Sequence, residues 1–325
     1  MPSSSEWEIP AHAQPKAEDW PFDLERALSS VLTLRAAIPP DAFTAGTLGT
    51  ERGGNAVVIR SDGLVLTIGY LITEADTIWL NTNDGRAVPG HVLAYDQETG
   101  FGLVQALGKL DLPALPMGRS ARVRVGDRVI VAGGGGRQHA VSGRIAAKQE
   151  FAGYWEYLLD EAIFTSPAHP NWGGAALIAS DGSLVGIGSL HLQQAREQGP
   201  PEHLNMIVPI DLLPPILNDL LTIGRPNHPP RPWIGLYATE VEDKIVVAGL
   251  ANTGPGRRAG LKMGDILLSV GGDEIKDLAS LYRGIWRCGP AGTKVPMLVY
   301  RDGRTVEIEV KSADRGRFLK GPSLH

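Results

Sequence analysis

The sequence predicts a mainly β protein: two consecutive β-barrels, then a smaller domain of strands with one helix. Three observations carry this. The 325 residues include 40 glycines and 24 prolines, a turn-rich composition that favours short strands over long helices. Two successive series of about six short apolar runs are separated by turn signals, each series enough for one barrel. A proline-rich stretch, GRPNHPPRP (224–232), then divides these runs from a compact remainder.

The elements follow in chain order. Residues 1–20 are polar and proline-bearing and are expected to be disordered. Phe22 to Ser29 can form a short helix. The first series reads VLTLRAAI, NAVVI, LVLTI, TIWL, RAVPGHVLAY and GLVQAL, with turns at Asp62-Gly63 and Asp84-Gly85. Asp-Gly between strand-like runs is a hairpin signal because glycine accepts positive φ. The second series reads RVIVAG, AVSGRIAAKQ, WEYLLDEAIF, GAALIAS, SLVGIGSL and NMIVPI, with a turn at Asp181-Gly182. DLLPPILNDLLTI reads as a closing helix. The domain boundaries expected are 21–223 for the double barrel, 224–232 for the linker, 233–312 for the last domain and 313–325 for a tail. A helix is expected at about Leu278–Arg287.

Composition excludes several function classes. The net charge of −5 gives no footprint for nucleic acid or an anionic membrane surface. No apolar run approaches the ~18 residues of a membrane span. The eight histidines are dispersed without metal-ligand spacing, and no cofactor is expected. Gly133–Gly136 lacks the Lys-Ser/Thr ending and helix start of a phosphate cradle. Cys288 stands alone and forms no internal disulfide. The N-terminal residues lack the basic start and apolar core of a secretory signal, so a cytoplasmic location is expected, with a periplasmic one as the alternative if a leader is missing.

The segment GPGRRAGLKMGDILLSVGG (254–272) resembles the PDZ domains of the HtrA/Deg family: a short helix, a Gly-Asp turn, a strand and a tight turn. VPMLVYRDGRTVEIEV resembles the closing hairpin of such domains. Trp233, Ile234, Gly235 and Leu236 stand where they carry a carboxylate-binding loop. The resemblance implies capture of C-terminal peptides, with backbone N–H groups on the terminal carboxylate and the peptide added as a strand to a sheet edge. Gly235 is then expected to let the peptide backbone approach closely. Ile234, Leu236, Leu281 and Ile285 are candidates for its apolar pocket, or else plain core. Arg231 stands either near the carboxylate or as a solvated linker residue.

The earlier part of the chain resembles the protease domain of the same family, which implies a chymotrypsin-like double β-barrel. Three segments carry the likeness. In GNAVVIRSDGLVLTIGYLI the position of the catalytic histidine is Tyr70, and in DQETGFGLVQA that of the triad aspartate is Gly100. SPAHPNWGGAALIASDGSLVGI matches the nucleophile segment, with Trp172 in place of the serine and Pro170 in place of a preceding glycine.

Each replacement removes a piece of chemistry. A tyrosine, with an ordinary pKa near ~10, is no imidazole-like base at neutral pH. Gly100 has nothing with which to orient a base. Trp172 offers an indole donor and no nucleophile. Pro170 lacks the N–H that the oxyanion site of the family would use. The resemblance therefore implies a pseudoprotease, a non-proteolytic peptide-binding scaffold or chaperone-like quality-control factor. Two alternatives stay open. One is an active endopeptidase with a relocated triad, at Ser166 or Ser180, or one rebuilt around His169, His139 and Ser142. The other is a regulatory subunit of an active paralogue. The family resemblance implies a trimer formed through N-terminal segments, with Trp20 and Phe22 as candidate contacts or else local core plugs.

Overall fold

The computed structural model describes residues 9–194 and 200–321. The chain forms two compact units: residues up to Gln149, Glu161–Asn227 and residues from Lys320 onward make one, and Glu150–Asp160 with His228–Leu319 make the other.

The first unit holds two closed barrels. Barrel one uses β1 (Val31–Ala37), β2 (Glu51–Val58), β3 (Leu64–Ile68), β4 (Thr77–Asn81), β5 (Ala87–Tyr95) and β6 (Phe101–Ala106), in the order β1-β2-β3-β6-β5-β4. Barrel two uses β7 (Arg128–Ala132), β8 (Ala140–Gly153), β9 (Tyr157–Ser166), β10 (Ala176–Ile178), β11 (Leu184–Gln194) and β12 (Glu202–Pro209), in the order β10-β11-β12-β9-β8-β7. Short apolar runs close this way because a barrel leaves no strand edge unpaired. Leu32, Leu34, Leu66 and Leu103 fill the first interior, and Val129, Val131, Ile163 and Leu177 the second. Each such side chain contributes about 1.5–3 kcal/mol by leaving water.

Two helices flank barrel one. The Asp23 carboxylate caps α1 (Leu24–Ser29) by accepting from the Arg26 N–H, and α2 (Ala45–Leu48) is a single turn. After the second barrel, α3 (Pro214–Ile223) begins on two prolines, where missing N–H groups cost nothing, and ends on Gly224.

The second unit is built on β13 (Leu236–Val241), β14 (Lys244–Leu250), β15 (Ile266–Val270), β16 (Asp273–Glu274), β17 (Lys294–Arg301) and β18 (Arg304–Lys311), ordered β13-β14-β15-β17-β18 with β16 paired to β15. β13 is thus an edge strand. The helices are α4 (Pro255–Ala259) and α5 (Leu278–Arg287). A reciprocal capping box starts α5: the Asp277 carboxylate accepts from the Ser280 N–H, and the Ser280 hydroxyl accepts from the Asp277 N–H. Leu278, Leu281, Tyr282 and Ile285 then recur at helical spacing and are buried. The Gly-Asp turn of the sequence is held by Asp265, whose buried carboxylate pairs with Arg301 through two contacts of 2.6 Å.

The structure corrects several expectations. Residues 1–8 lie outside the described part, but 9–20 are ordered: Ile9 and Trp20 are buried, and Ile9 and Ala13 hydrogen-bond to Gln138 and Ser142. The Arg128 guanidinium lies 4.9 Å from the Trp20 ring, so Trp20 serves its own domain as a core plug. The run WEYLLDEAIF is not strand throughout. Tyr154, Trp155 and Glu156 form a turn, because Glu156 adopts φ 58°, and the strand starts at Tyr157. The 313–325 tail has structure as far as described: Trp233 pairs with Ala313, and Arg315–Phe318 forms a 3-10 turn.

Candidate functional site

The three positions matched to the triad meet in the first unit. Tyr70 lies on the 3-10 turn Gly69–Leu71 that follows β3. Gly100 directly precedes β6, and its carbonyl accepts from the Gly69 N–H at 2.7 Å. The Asp96 side chain shapes the preceding turn by accepting from the Thr99 N–H and hydroxyl. Trp172 lies in the loop before β10, with its indole as a polar neighbour of the Tyr70 hydroxyl. That hydroxyl donates to the Ser189 carbonyl at 2.9 Å. The phenol proton is therefore committed, and burial pushes the Tyr70 pKa well above the ordinary tyrosine value. A phenol held neutral in this way cannot act as a general base at neutral pH.

The Trp172 indole stacks on His191, with centroids 5.2 Å apart and planes 29° apart. His191 Nε2 lies 3.1 Å from His203 Nδ1, and burial together with the neighbouring His203 lowers the His191 pKa.

The loop around Trp172 is locked from beneath by Asn55, a fully buried side chain on β2. Its amide donates to the carbonyls of Asn171 and Gly173 at 2.8 and 3.1 Å, and its Oδ1 accepts from the Gly134 N–H at 2.9 Å. The backbones approach closely enough that a Cβ at Gly174, where φ is +75°, would stand 1.8 Å from the Asn55 carbonyl oxygen. Sequence reasoning missed Asn55, although an amide inside the apolar run GGNAVV was a legible signal of a buried polar contact.

His169 is not a spare base. It is 1% exposed; its Nδ1 accepts from the Asn171 N–H, so Nε2 carries the proton and donates to the His139 carbonyl at 2.9 Å. Burial lowers its pKa to about 4. Ser166 donates to Glu202 at 2.8 Å, and Ser180 is exposed at the Asp181-Gly182 turn. The Gly133–Gly136 loop spends the N–H groups of Gly134 and Gly135 on Asn55 and Asn83. Among the described residues no cluster of three or more His, Cys, Asp or Glu forms a metal site.

The carboxylate loop of the second unit has the expected chemistry and an unexpected occupant. The N–H groups of Leu236 and Ile234 donate to the Glu156 carboxylate, at 2.7 and 3.1 Å. Burial drives the Glu156 pKa up to about 7, against these donors, which pull it down. Ile234, Leu236, Leu281 and Ile285, candidates for a pocket or else core, are 0–1% exposed and share one apolar cluster with Leu158. Trp233 is buried against Phe318, with centroids at 4.9 Å. Gly235 is also required by its own backbone. Its φ is +75°, and a Cβ would meet Gly254 and Ala251 at 3.1 and 3.2 Å. Arg231 lies 4.0 Å over the Trp286 ring rather than at the carboxylate. Nothing in the local sequence marked Glu156, because its role depends on residues some 80 positions away.

Comparison with known proteins agrees with this architecture. Residues 54–187 match the trypsin-like peptidase domain family, and residues 232–312 match the PDZ domain family. A probable periplasmic serine endoprotease, DegP-like, of Pseudomonas putida is 28% identical over 275 residues, covering 79% of this chain and 55% of that protein. The periplasmic pH-dependent serine endoprotease DegQ of Escherichia coli is 28% identical over 274 residues, covering 79% and 58%. The chain thus spans about half the length of the curated relatives it matches. Among solved structures, the HtrA-type protease AlgW with decapeptide superposes with a TM-score of 0.53 at 23% identity, covering 92% of this chain and 98% of that one. This likeness bears on the fold. The chain thus joins a trypsin-like peptidase domain to a PDZ domain and is similar across both to DegP-like serine endoproteases.

Proposed function

We propose that this chain is a non-proteolytic member of its family, which holds the C-termini of other proteins through the PDZ domain without cutting them. The observation that carries the reading is that a tyrosine whose hydroxyl donates to the Ser189 carbonyl, and a tryptophan, stand at the positions of base and nucleophile. Neither side chain can supply what a serine or histidine supplies there. Losing the nucleophile or base of such a triad costs on the order of 10⁶ in turnover, and further losses add little because the parts act as a unit. What usually survives comes from the oxyanion site, where one lost donor costs about 10²–10³ more, and Pro170 has no N–H to give.

Peptide capture draws support from the PDZ match and from backbone N–H groups that already hold a carboxylate. A periplasmic location is supported by the names of the relatives, and no described helix is long and apolar enough to cross a membrane. The test is incubation with a fluorophosphonate probe and with unfolded casein. No labelling and no cleavage are expected. Stoichiometric labelling of any serine, or cleavage abolished by one serine substitution, refutes the reading.

A further inference from the structure

The unit that carries the PDZ sheet also contains Glu150–Asp160, the tip of the β8–β9 hairpin, although the sequence places that segment inside the second barrel. Five contacts within the unit define how the tip sits. Glu156 puts its carboxylate onto the N–H groups of Ile234 and Leu236. Two residues earlier, the Tyr154 carbonyl accepts from the Ala238 N–H of β13 at 3.0 Å, which uses a free backbone donor of the edge strand. The Tyr282 hydroxyl on α5 donates to the Gly153 carbonyl at 2.7 Å. Leu158 joins the apolar cluster of Ile234, Leu236, Leu281 and Ile285. At the base of the tip, Arg283 of α5 bridges Glu150 and Asp160, both at 2.5 Å.

A carboxylate in the loop, a backbone bond to the sheet edge and an apolar side chain in the pocket are the three features by which such a groove would recognise a peptide terminus. Here all three come from the same chain. We propose that the hairpin tip Gly153–Leu158 is a built-in ligand of the PDZ groove, and that a peptide with a free carboxylate and an apolar last residue binds only by displacing it. The proposal rests on the peptide-capture reading above and adds its regulation.

The displacement is a competition between an intramolecular and an intermolecular carboxylate. A tethered competitor acts at an effective concentration in about the millimolar range, and the apparent affinity of a peptide falls by the fraction of molecules whose groove is open. Releasing the tip therefore raises affinity without any new contact to the peptide. Glu156 is the residue to change, because its carboxylate occupies the donors a peptide terminus needs.

The test uses the full chain and fluorescein-labelled decapeptides ending in Val, Leu, Ile or Phe, each as free acid and as C-terminal amide. Affinity is read by anisotropy for the wild type, Glu156→Ala and Glu156→Gln, with circular dichroism to confirm folding; the glutamine variant keeps the side-chain shape if the alanine variant does not fold. The expected result is that a free-acid peptide binds the variants at least about ten-fold more tightly than the wild type, while the amides gain little. Equal affinity of wild type and variants for free-acid peptides overturns the built-in ligand and leaves peptide capture standing. Binding of no peptide by any of the proteins overturns peptide capture and displacement together.

Discussion

Replacing Tyr70 by Phe removes one oxygen and keeps the ring, so its effect isolates the polar contacts at the position matched to the catalytic histidine. The hydroxyl donates to the Ser189 carbonyl at 2.9 Å and has the Trp172 indole as a polar neighbour. Ser189 is only 4% exposed, so its carbonyl gains no ready replacement from water. A buried acceptor left unpaired costs about 1–3 kcal/mol. Trp172 is half-buried and can recover solvent, which limits that loss to about 0.5–1.5 kcal/mol. The expected destabilisation of the double barrel is about 2–4 kcal/mol, a fall in Tm of roughly 5–15 °C for a unit of this size. Urea unfolding followed by circular dichroism and tryptophan emission measures it. A loss below about 0.5 kcal/mol would show that the hydroxyl does not hold the loop. An undisturbed fold combined with loss of some measurable turnover would show that Tyr70 is catalytic rather than structural.

Three further outcomes are expected. Trp172→Ser alone restores no casein cleavage, because the base, its orienter and one oxyanion donor are still missing; measurable turnover by this variant would overturn the roles assigned to Tyr70 and Pro170. Gly174→Ala costs about 3 kcal/mol or more, since the new Cβ meets the Asn55 carbonyl at 1.8 Å in a left-handed backbone conformation, and unchanged urea unfolding would contradict that packing. The His169 pKa falls from 6.5 to about 4 on folding, so between these values the unfolded chain binds the proton and the folded one does not. Stability from this group is thus present above pH 6.5 and is lost as pH falls toward 4, on the order of 3 kcal/mol in total. His169→Gln should flatten that part of the pH profile of unfolding free energy, and an unaltered profile would remove His169 as its source.

Strand positions were legible from sequence because a barrel strand announces itself locally: apolar residues run for five to eight positions and Asp-Gly marks the turn. The helix over Leu278–Arg287 was legible for the same reason, with its Asp277 cap and apolar spacing in one short window. The identities at 70, 100 and 172 were readable because the surrounding framework is retained while those side chains are changed. What the replacements do to one another was not. The approach of Tyr70 and Trp172 joins positions about 100 apart, and no local pattern encodes the direction of an indole. His169 looked like a possible base until the structure committed both of its nitrogens to backbone partners.

The sequence by itself determined the element types, their order, the two kinds of domain and the residue identities at 70, 100 and 172, since each depends on residue identity within a short window. Only the tertiary structure decided what fills the vacated positions and what occupies the carboxylate loop. Glu156 in WEYLLDEAIF reads as an ordinary strand residue. It becomes the partner of Ile234 and Leu236 only because a turn at φ 58° aims it there, and because a buried carboxylate has to find donors wherever the folded chain supplies them.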